Sequence, residues 1–257
     1  MAMKILFGAA TDVGQLRENN EDALLTYVAD IRNDNNRPPF GLFVVADGMG
    51  GHLNGEKASA IATETVLDDV VRRVYLRILS DSDDGYQPPI GETLESAAET
   101  ANKDVRRKVP NGGTTLTAAV ILGNLLYIAH VGDSRAYMHR DGELEQVTED
   151  HTFVNRLVQM GTMTSEEAAK SEASNRIYKA IGIADSVEID TITRRIKPGT
   201  ALLLCSDGLS GMVSDEAMQE VLNSTDDPQR ACDMLVDLGN QNGGQDNITV
   251  IVVLVIE

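Results

Sequence analysis

The sequence contains few residues that build covalent cross-links or membrane anchors. Only two of its 257 residues are cysteines, Cys205 and Cys232, and no Cys-x-x-Cys spacing occurs. This excludes a disulfide framework and a thiolate zinc site, and it fits a reducing, cytoplasmic setting. No run approaches the roughly 20 apolar residues of a membrane helix, and the N-terminus has no signal-peptide core. We therefore expect a soluble protein that is not anchored in a membrane.

Positive charge is also scarce. The chain has 22 basic residues against 40 acidic ones, a formal net charge of -18. Such a field repels nucleic acids and anionic membrane surfaces, which argues against a function at either. It also repels phosphorylated substrates, so a site that handles phosphate needs its own concentrated positive charge. Bound cations are the obvious source of that charge.

Three familiar catalytic patterns are absent. Gly50 and Gly51 lie in a glycine-rich stretch, but no Gly-Lys-Ser or Gly-Lys-Thr follows, so this is not a Walker loop. Ser210 lies in Gly-Leu-Ser-Gly, one residue short of a nucleophile elbow, and no His-Glu-x-x-His occurs. These absences exclude a P-loop nucleotide hydrolase, an α/β-hydrolase and a typical zinc protease.

Short runs of β-branched and aliphatic residues recur along the chain and predict strands. They lie at residues 5–9, 42–46, 116–122, 125–131, 201–205 and 248–256. Gly123-Asn124 separates two of these runs and predicts a tight hairpin turn, and Asp141-Gly142 predicts a second turn. Because hairpins join antiparallel strands, this pattern favours antiparallel sheets covered by helices over a doubly wound parallel sheet.

Helical spacing of apolar residues occurs at 58–74 and at 94–105. The acidic segment 81–89 between them contains Gly85 and predicts an exposed loop. Near the C-terminus, Asp227 followed by proline is typical of a helix start, and Gly239 is placed to end that helix.

The length allows one or two domains, but no linker argues for two, so we expect one domain over residues 1–257. Within it, the region at about 151–190 predicts a flap, because little continuous apolar pattern follows Thr164 and Glu167. Those two residues have the spacing of a capping box.

Four aspartates stand where predicted strands end or begin. They are Asp47, Asp133, Asp207 and Asp246. Any single Asp-Gly fits an ordinary turn, but several carboxylates that converge would repel one another unless cations neutralised them. Hard oxygen ligands without thiolates or paired histidines select magnesium, manganese or calcium.

Six motifs in order then resemble a known family. They are Arg17-Glu18-Asn19-Asn20-Glu21-Asp22, Asp47-Gly48-Met49-Gly50-Gly51-His52, Gly113-Thr114-Thr115, Gly132-Asp133-Ser134-Arg135, Ser206-Asp207-Gly208-Leu209 and Asp246-Asn247. The chain resembles the metal-dependent protein phosphatases (PPM), also called type 2C serine/threonine phosphatases, in their bacterial form. The resemblance implies an α+β fold, a four-layer αββα sandwich in which two antiparallel sheets are flanked by helices, with a flap subdomain.

The resemblance also implies a reaction. The enzyme would hydrolyse phosphoserine and phosphothreonine with a metal-activated water and no covalent intermediate, using two magnesium or manganese ions and a third, weaker one. Asp47, the Gly48 carbonyl, Asp207 and Asp246 would hold the pair. Asp133 and Asp207 would hold the third ion, with Glu21 and Asp22 acting through water.

Two further residues acquire roles by resemblance. Arg17 would bind the substrate phosphate, because a guanidinium stays charged and its planar fork fits two phosphate oxygens. Taken alone, however, Arg17 also fits a surface ion pair with Glu18 or Glu21. His52 is a candidate general acid for the leaving oxygen, with a structural role beside the glycine-rich turn as the alternative.

The expected partners are phosphorylated proteins, including the substrates of a serine/threonine kinase and the cognate kinase itself, and a monomer is expected. Three alternatives stay open. One is a relative acting on a phosphorylated anti-anti-sigma factor, and another is a catalytically silent scaffold, although such a scaffold would be expected to lose metal ligands. A calcium-binding structural protein is the third, and it lacks the expected Asp-x-Asp-x-Asp-Gly loop.

Overall fold

The computed structural model describes residues 3–29, 38–51, 53–80, 89–164, 167 and 176–257. His52 lies outside these residues, as do the predicted loop at 81–89 except for its last residue and part of the predicted flap. None of the helices in the described ranges is long and apolar enough to cross a membrane.

Two antiparallel sheets form the centre of the molecule. Their strands are β1 (Lys4–Asp12), β2 (Asp22–Ala29), β3 (Phe40–Met49), β4 (Gly113–Thr114), β5 (Leu116–Leu122), β6 (Leu125–Val131), β7 (Arg135–Arg140), β8 (Glu143–Gln146), β9 (Asp190–Arg195), β10 (Ala201–Cys205) and β11 (Ile248–Ile256). The first sheet has the order β1-β11-β10-β7-β8, and the second has the order β2-β3-β5-β6-β9, with β4 paired to β3. All of these pairs are antiparallel, and every predicted strand lies within an observed one.

The predicted turns occur where the sequence placed them. Gly123 has φ = 57° in the β5–β6 hairpin, and Asp141 and Gly142 have φ of 54° and 85° in the β7–β8 hairpin. Two successive residues with positive φ are typical of the tight turns whose twist matches the flanking strands.

Helices cover both outer faces of the pair of sheets. They are α1 (Leu53–Val70), which continues through a π-helical segment (Val71–Tyr75) into α2 (Leu76–Leu79), then α3 (Ile90–Lys108), α4 (Phe153–Gln159), α5 (Asp207–Ser210), α6 (Asp215–Ser224) and α7 (Pro228–Gln241). Strand β3 shows how three apolar layers arise, because side chains of a strand alternate between its faces. Leu42 and Val44 pack against α1 and α3, whereas Phe43 and Val45 pack between the two sheets. A third layer packs the first sheet against α6 and α7.

Helix α7 begins as predicted but ends later. The Asp227 carboxylate accepts hydrogen bonds from the backbone N–H groups of Gln229 (3.0 Å) and Arg230 (3.3 Å), which caps the helix start. The predicted end at Gly239 is wrong, because the helix continues to Gln241. Gly239 instead permits close packing, since a Cβ there would lie 2.9 Å from Cδ1 of Ile248.

The predicted capping box in the flap region is confirmed. The Thr164 N–H donates to Oε2 of Glu167 at 2.8 Å, and the Glu167 N–H donates to Oγ1 of Thr164 at 3.2 Å. These reciprocal bonds satisfy two backbone donors that a helix start leaves unpaired.

Candidate metal centre

Both sheets deliver acidic residues to one cavity of about 650 Å³. Asp47 lies near the end of β3, Asp133 lies in the loop from β6 to β7, Asp207 opens α5 directly after β10, and Asp246 precedes β11. The four aspartates singled out from the sequence therefore line a single space. Three other residues with predicted roles, Arg17, Glu21 and Gly48, line it as well.

Asp47 is held at its backbone by two threonines. Its N–H donates to Oγ1 of Thr115 at 2.8 Å, and its carbonyl accepts from Oγ1 of Thr114 and from the Thr115 N–H, both at 2.9 Å. These bonds hold the backbone of Asp47 in place, and its carboxylate lines the cavity. The Gly-Thr-Thr motif of the sequence thereby acquires a structural role that the sequence alone does not disclose.

Asp22 lies behind the cavity. It is the cross-strand partner of Asp47 between β2 and β3, and its Oδ2 accepts a hydrogen bond from Oγ of Ser206 at 2.8 Å. Ser206 immediately precedes Asp207, and its Oγ also accepts from the Thr249 N–H at 2.9 Å. Ser206 therefore joins strands β2, β10 and β11 directly beneath the aspartates.

Three buried carboxylate oxygens have no hydrogen-bond partner among the described residues. They are Oδ1 of Asp22, Oδ1 of Asp133 and Oδ1 of Asp207. A buried acceptor without a partner costs free energy, and several of them around one space indicate a missing cationic or donor group. The donor set of carboxylates and a backbone carbonyl fits a hard divalent cation such as magnesium or manganese.

The electrostatics of the cluster lead to the same conclusion. Burial, reinforced by the neighbouring carboxylates, raises the pKa of Asp22 to about 7 and that of Asp133 to about 8. Burial and the charges of Asp22 and Asp207 raise the pKa of Asp47 well above its usual range, and burial with the charge of Asp246 raises that of Asp207. Divalent cations among these groups would relieve the desolvation and repulsion together.

The carboxylates also have partners of other kinds. In the described part of the chain, no three acidic, histidine or cysteine side chains stand in a ready-made coordination shell. The Asp207 and Asp47 carboxylates lie close to each other, and Nη2 of Arg17 lies 2.5 Å from Oδ2 of Asp246. Bound cations would therefore compete with these contacts for the same oxygens.

Arg17 stands at the mouth of the cavity with its side chain 53% exposed. The sequence suggested Glu18 or Glu21 as its alternative partner, but the structure pairs it with Asp246, more than two hundred residues away. This hydrogen bond raises the pKa of the guanidinium, so Arg17 remains charged at any working pH. Its remaining N–H donors are available to an anion in the cavity.

Asn247 fixes the loop that carries Arg17. Its Nδ2 donates to the carbonyls of Val13 and Asn19, both at 2.9 Å, and its Oδ1 accepts from the Glu21 N–H at 2.8 Å. Sequence reasoning gave this residue no role, although the Asp246-Asn247 motif marks its position. This side chain therefore helps to hold the loop before β2 against the turn before β11, together with the Arg17–Asp246 pair.

Glu21 is confined by two glycines. The Gly48 N–H donates to the Glu21 carbonyl at 3.2 Å, and the start of α1 packs so closely that a Cβ on Gly55 would overlap Oε2 of Glu21. A Cβ on Gly48 would likewise overlap the carbonyls of Glu21 and Gly55. Glycine is therefore required at both positions to keep the Glu21 carboxylate beside the cavity.

A polar network supports Asp133 from behind. His151 accepts the Gly132 N–H on Nδ1 at 3.0 Å, and its Nε2 lies 3.2 Å from Oδ2 of Asp190. On the other side of Asp133, Arg135 forms a forked ion pair with Asp150, with contacts of 2.8 and 3.1 Å to Oδ2. The loop that presents Asp133 is thus held at one end by a hydrogen-bonded histidine and at the other by an ion pair.

Comparison with known proteins identifies similar chains. A family model described as protein phosphatase 2C matches residues 17–240. A serine/threonine phosphatase of Listeria monocytogenes serotype 4b is 35% identical over 244 residues, which are 95% of this chain and 93% of that protein.

Solved structures agree with this match. A serine/threonine phosphatase of S. agalactiae superposes with a TM-score of 0.84 and 33% identity, covering 99% of this chain and all of the other. The catalytic domain of the serine/threonine protein phosphatase PstP, solved in complex with two manganese ions, superposes with a TM-score of 0.81 and 34% identity over the full length of both chains.

Proposed function

The chain belongs to the protein phosphatase 2C family and is a metal-dependent serine/threonine phosphatase, and we propose that it performs its reaction in the cavity lined by Asp47, Asp207 and Asp246. The observation that supports this location is the gathering of four aspartates, with two buried and unpartnered oxygens among them, around one space. Magnesium or manganese ions, when bound, would supply positive charge among the aspartates and activate water for attack at phosphorus.

In this proposal each acidic residue has a defined task. Asp47, Asp207 and Asp246 would hold two ions with the help of the Gly48 carbonyl, and Asp133 would hold a third, weaker ion together with Asp207. Glu21 and Asp22 act through water. Asp22 does not line the cavity itself, but its buried Oδ1 has no hydrogen-bond partner among the described residues.

Arg17 binds the phosphate of the substrate. Its exposure at the mouth of the cavity and its permanent charge suit this task, and the fork of the guanidinium fits two phosphoryl oxygens while Nη2 remains beside Asp246. His52 stays our candidate for the acid that protonates the leaving oxygen, on the basis of its motif alone.

The substrates in this proposal are phosphorylated proteins, among them the targets of a serine/threonine kinase and the kinase itself. We further propose that residues 1–257 act as one catalytic domain and as a monomer, with the flap at about 151–190. A reducing, cytoplasmic setting is part of the proposal, because Cys205 and Cys232 are both free and buried.

The decisive experiment measures release of para-nitrophenol from para-nitrophenyl phosphate by the wild type and by Asp207→Asn. With manganese the wild type should be active, and a chelator should abolish the activity. Asp207→Asn should lose roughly a thousandfold in rate, because removing metal-based charge stabilisation costs several kcal/mol of transition-state stabilisation. Asp141→Asn is the matched control, since Asp141 lies in the exposed β7–β8 turn and should leave the rate unchanged.

Manganese binding should be followed on the same proteins by calorimetry. The wild type and Asp141→Asn should bind manganese, whereas Asp207→Asn should bind it more weakly. Turnover that resists the chelator, or an Asp207→Asn variant that keeps both its binding and its rate, would refute the proposal.

A further inference from the structure

The outer edge of β1 forms a groove away from the proposed catalytic cavity. Among the described residues, β1 is the end strand of the first sheet and pairs with β11 alone. A cavity of about 510 Å³ runs along it, lined by Ile5, Leu6, Phe7, Asp226, Asp227 and Pro228. An end strand of a sheet is a template for another strand unless the protein covers it.

One side chain reveals which backbone groups face this groove. The Ala9 N–H donates to Oε1 of Gln229 and the Ala9 carbonyl accepts from its Nε2, both at 3.1 Å. Both groups of Ala9 therefore point away from β11. Because backbone direction alternates with a period of two along a strand, Phe7 and Ile5 point the same way.

The partner strand provides an independent check. Val255 is the cross-strand partner of Ile5, and its N–H and carbonyl are engaged by Thr200 and Gly199 on the opposite side of β11. In an antiparallel pair, two opposed residues either both face each other or both face away. Ile5 must therefore present its N–H and carbonyl to the groove.

These backbone groups have no partner within the described residues. No described donor or acceptor bonds the N–H or carbonyl of Ile5 or Phe7, whereas Gln229 closes the edge at Ala9. Two donors and two acceptors at alternate residues are what an added antiparallel strand requires. The edge is thus blocked at one end and open over residues 5–7.

The side chains beside the open edge are apolar. Leu6 is 43% exposed and Phe7 is 42% exposed, and they extend from opposite faces of the strand. The Phe7 ring lies 6.0 Å from the ring of buried Phe43, so it continues the layer between the sheets out to the surface. An added strand would find apolar contacts on both of its faces.

The charge beside the groove selects the occupant. Asp226 has no ion-pair or hydrogen-bond partner among the described residues, and Asp227 adds a second carboxylate that caps α7. The chain as a whole carries a net charge of -18, which disfavours a second copy of itself at this edge.

We propose that the β1 edge is a docking site for an extended segment of a partner protein in which apolar residues alternate with lysine or arginine. The segment adds to the first sheet as a strand beside β1, bonding to Ile5 and Phe7. Its apolar side chains cover Leu6 or Phe7, and its basic side chains approach Asp226 and Asp227.

The first test uses amide hydrogen exchange of the full chain followed by NMR. The probe is the capped peptide Lys-Val-Lys-Val-Lys-Val, compared with Glu-Val-Glu-Val-Glu-Val. At saturation the lysine peptide should slow exchange of the Ile5 and Phe7 amides at least about tenfold, since new hydrogen bonds protect them. The amides of Leu6 and Gly8, which already face β11, serve as internal references and should not change.

The second test uses variants and peptide affinity measured by fluorescence anisotropy. Phe7→Pro removes a groove-facing donor without removing a bond to β11, and it should abolish binding. Asp226→Asn should weaken binding by about threefold to tenfold, as expected for one charge near the surface. Asp141→Asn is the matched control, because it removes an exposed aspartate charge elsewhere on the surface and should have no such effect.

Manganese-dependent hydrolysis of para-nitrophenyl phosphate should be unchanged in these variants, which shows that they fold. If Phe7→Pro does not fold, the Asp226→Asn and Asp141→Asn pair decides the matter together with the exchange data. Unchanged exchange at Ile5 and Phe7, equal binding of the glutamate peptide, or equal weakening by Asp141→Asn would overturn the proposal. Protection of the two amides by dimerisation without peptide, seen in sedimentation, would also overturn it.

Discussion

Asp246 is the residue at which the proposed metal site and the proposed phosphate site meet. Its Oδ2 pairs with Arg17, its Oδ1 accepts the N–H of Asn247, and its carboxylate lines the same cavity as Asp47 and Asp207. Asp246 thus contributes to the proposed metal site and also holds the arginine of the proposed phosphate site. Because Arg17 itself is not a proposed metal ligand, substituting it should leave all of the metal ligands in place.

Substitution of Arg17 by alanine should separate the two sites. A charge-assisted hydrogen bond contributes roughly 1.5–3 kcal/mol, so kcat/KM for a phosphopeptide should fall about tenfold to a hundredfold. Manganese affinity should be retained, because Asp246 loses a competitor and not a neighbouring ligand. Steady-state kinetics and calorimetric titration measure the two quantities.

Arg17→Lys is the matched control for this prediction. It keeps the charge but not the planar fork, so its kcat/KM should fall between those of the wild type and Arg17→Ala. If Arg17→Ala no longer binds manganese, its assigned role is wrong.

At the scale of elements, the site depends on how tightly α1 packs against the end of β3. Gly48 in β3 and Gly55 in α1 approach each other so closely that a Cβ on either would overlap the other's backbone or Glu21. Glycine is therefore needed at both positions where strand β3 and helix α1 meet. The spacing between these elements, and not the identity of Glu21 alone, positions the carboxylate.

This packing predicts opposite outcomes for two glycine-to-alanine changes in helices. Gly91 in α3 has open space around it, so Gly91→Ala should raise the free energy of unfolding by up to about 1 kcal/mol through helix propensity. Alanine also favours the helix at position 55, but its Cβ would displace Glu21. Gly55→Ala should therefore lower both thermal stability and phosphatase activity.

Thermal melts and initial rates on both variants measure the difference. If Gly55→Ala had the same stability and activity as Gly91→Ala, the close packing of α1 against Glu21 would not be required, and the prediction would be wrong.

On the scale of the whole molecule, the two sheets are joined by buried polar contacts near the site as well as by apolar packing. His130 on β6 of the second sheet bonds to Thr117 on β5 at 3.0 Å and, through Nε2, to the carbonyl of Glu149 beyond β8 of the first sheet, also at 3.0 Å. Since a carbonyl only accepts, Nε2 carries the proton in the neutral ring. The Thr117 hydroxyl, which has one proton, lies 3.0 Å from both Nδ1 of this ring and the carbonyl oxygen of Ser134. The neutral form of His130 thus belongs to the folded state.

Stability should fall with acid because of this histidine. Burial, aided by neighbouring His151, lowers the pKa of His130 to about 4 from a usual value near 6.5. The unfolded chain therefore takes up a proton at a higher pH than the folded chain. The resulting stabilisation is complete above pH 6.5 and is lost as the pH falls towards 4, by about 3 kcal/mol in total.

Denaturant unfolding of the wild type and of His130→Gln between pH 7.5 and 4 isolates this contribution from that of the carboxylates. The advantage of the wild type over the variant should shrink steadily as the pH falls through this range. An advantage that is constant over the whole range would contradict a neutral, buried His130.

Local patterns in the chain were sufficient for much of this fold. Runs such as 201–205 and 248–256 became strands because β-branched and aliphatic residues favour a buried strand wherever they occur, and the Asp141-Gly142 turn follows from backbone geometry. β2 and β9 were not anticipated. β2 is half-buried along its whole length and β9 is largely exposed, so neither shows a clear alternation of apolar and polar residues.

The sequence by itself determined which residue types are available for catalysis, because motifs such as Asp207-Gly208 and Asp246-Asn247 can be read without a fold. Only the tertiary structure decided that Arg17 meets Asp246, that Asp22 lies behind Asp47, and that the edge of β1 is left open. The physical reason is that these relations join positions far apart in the chain. They depend on which strand lies beside which, and packing of the whole molecule sets that order.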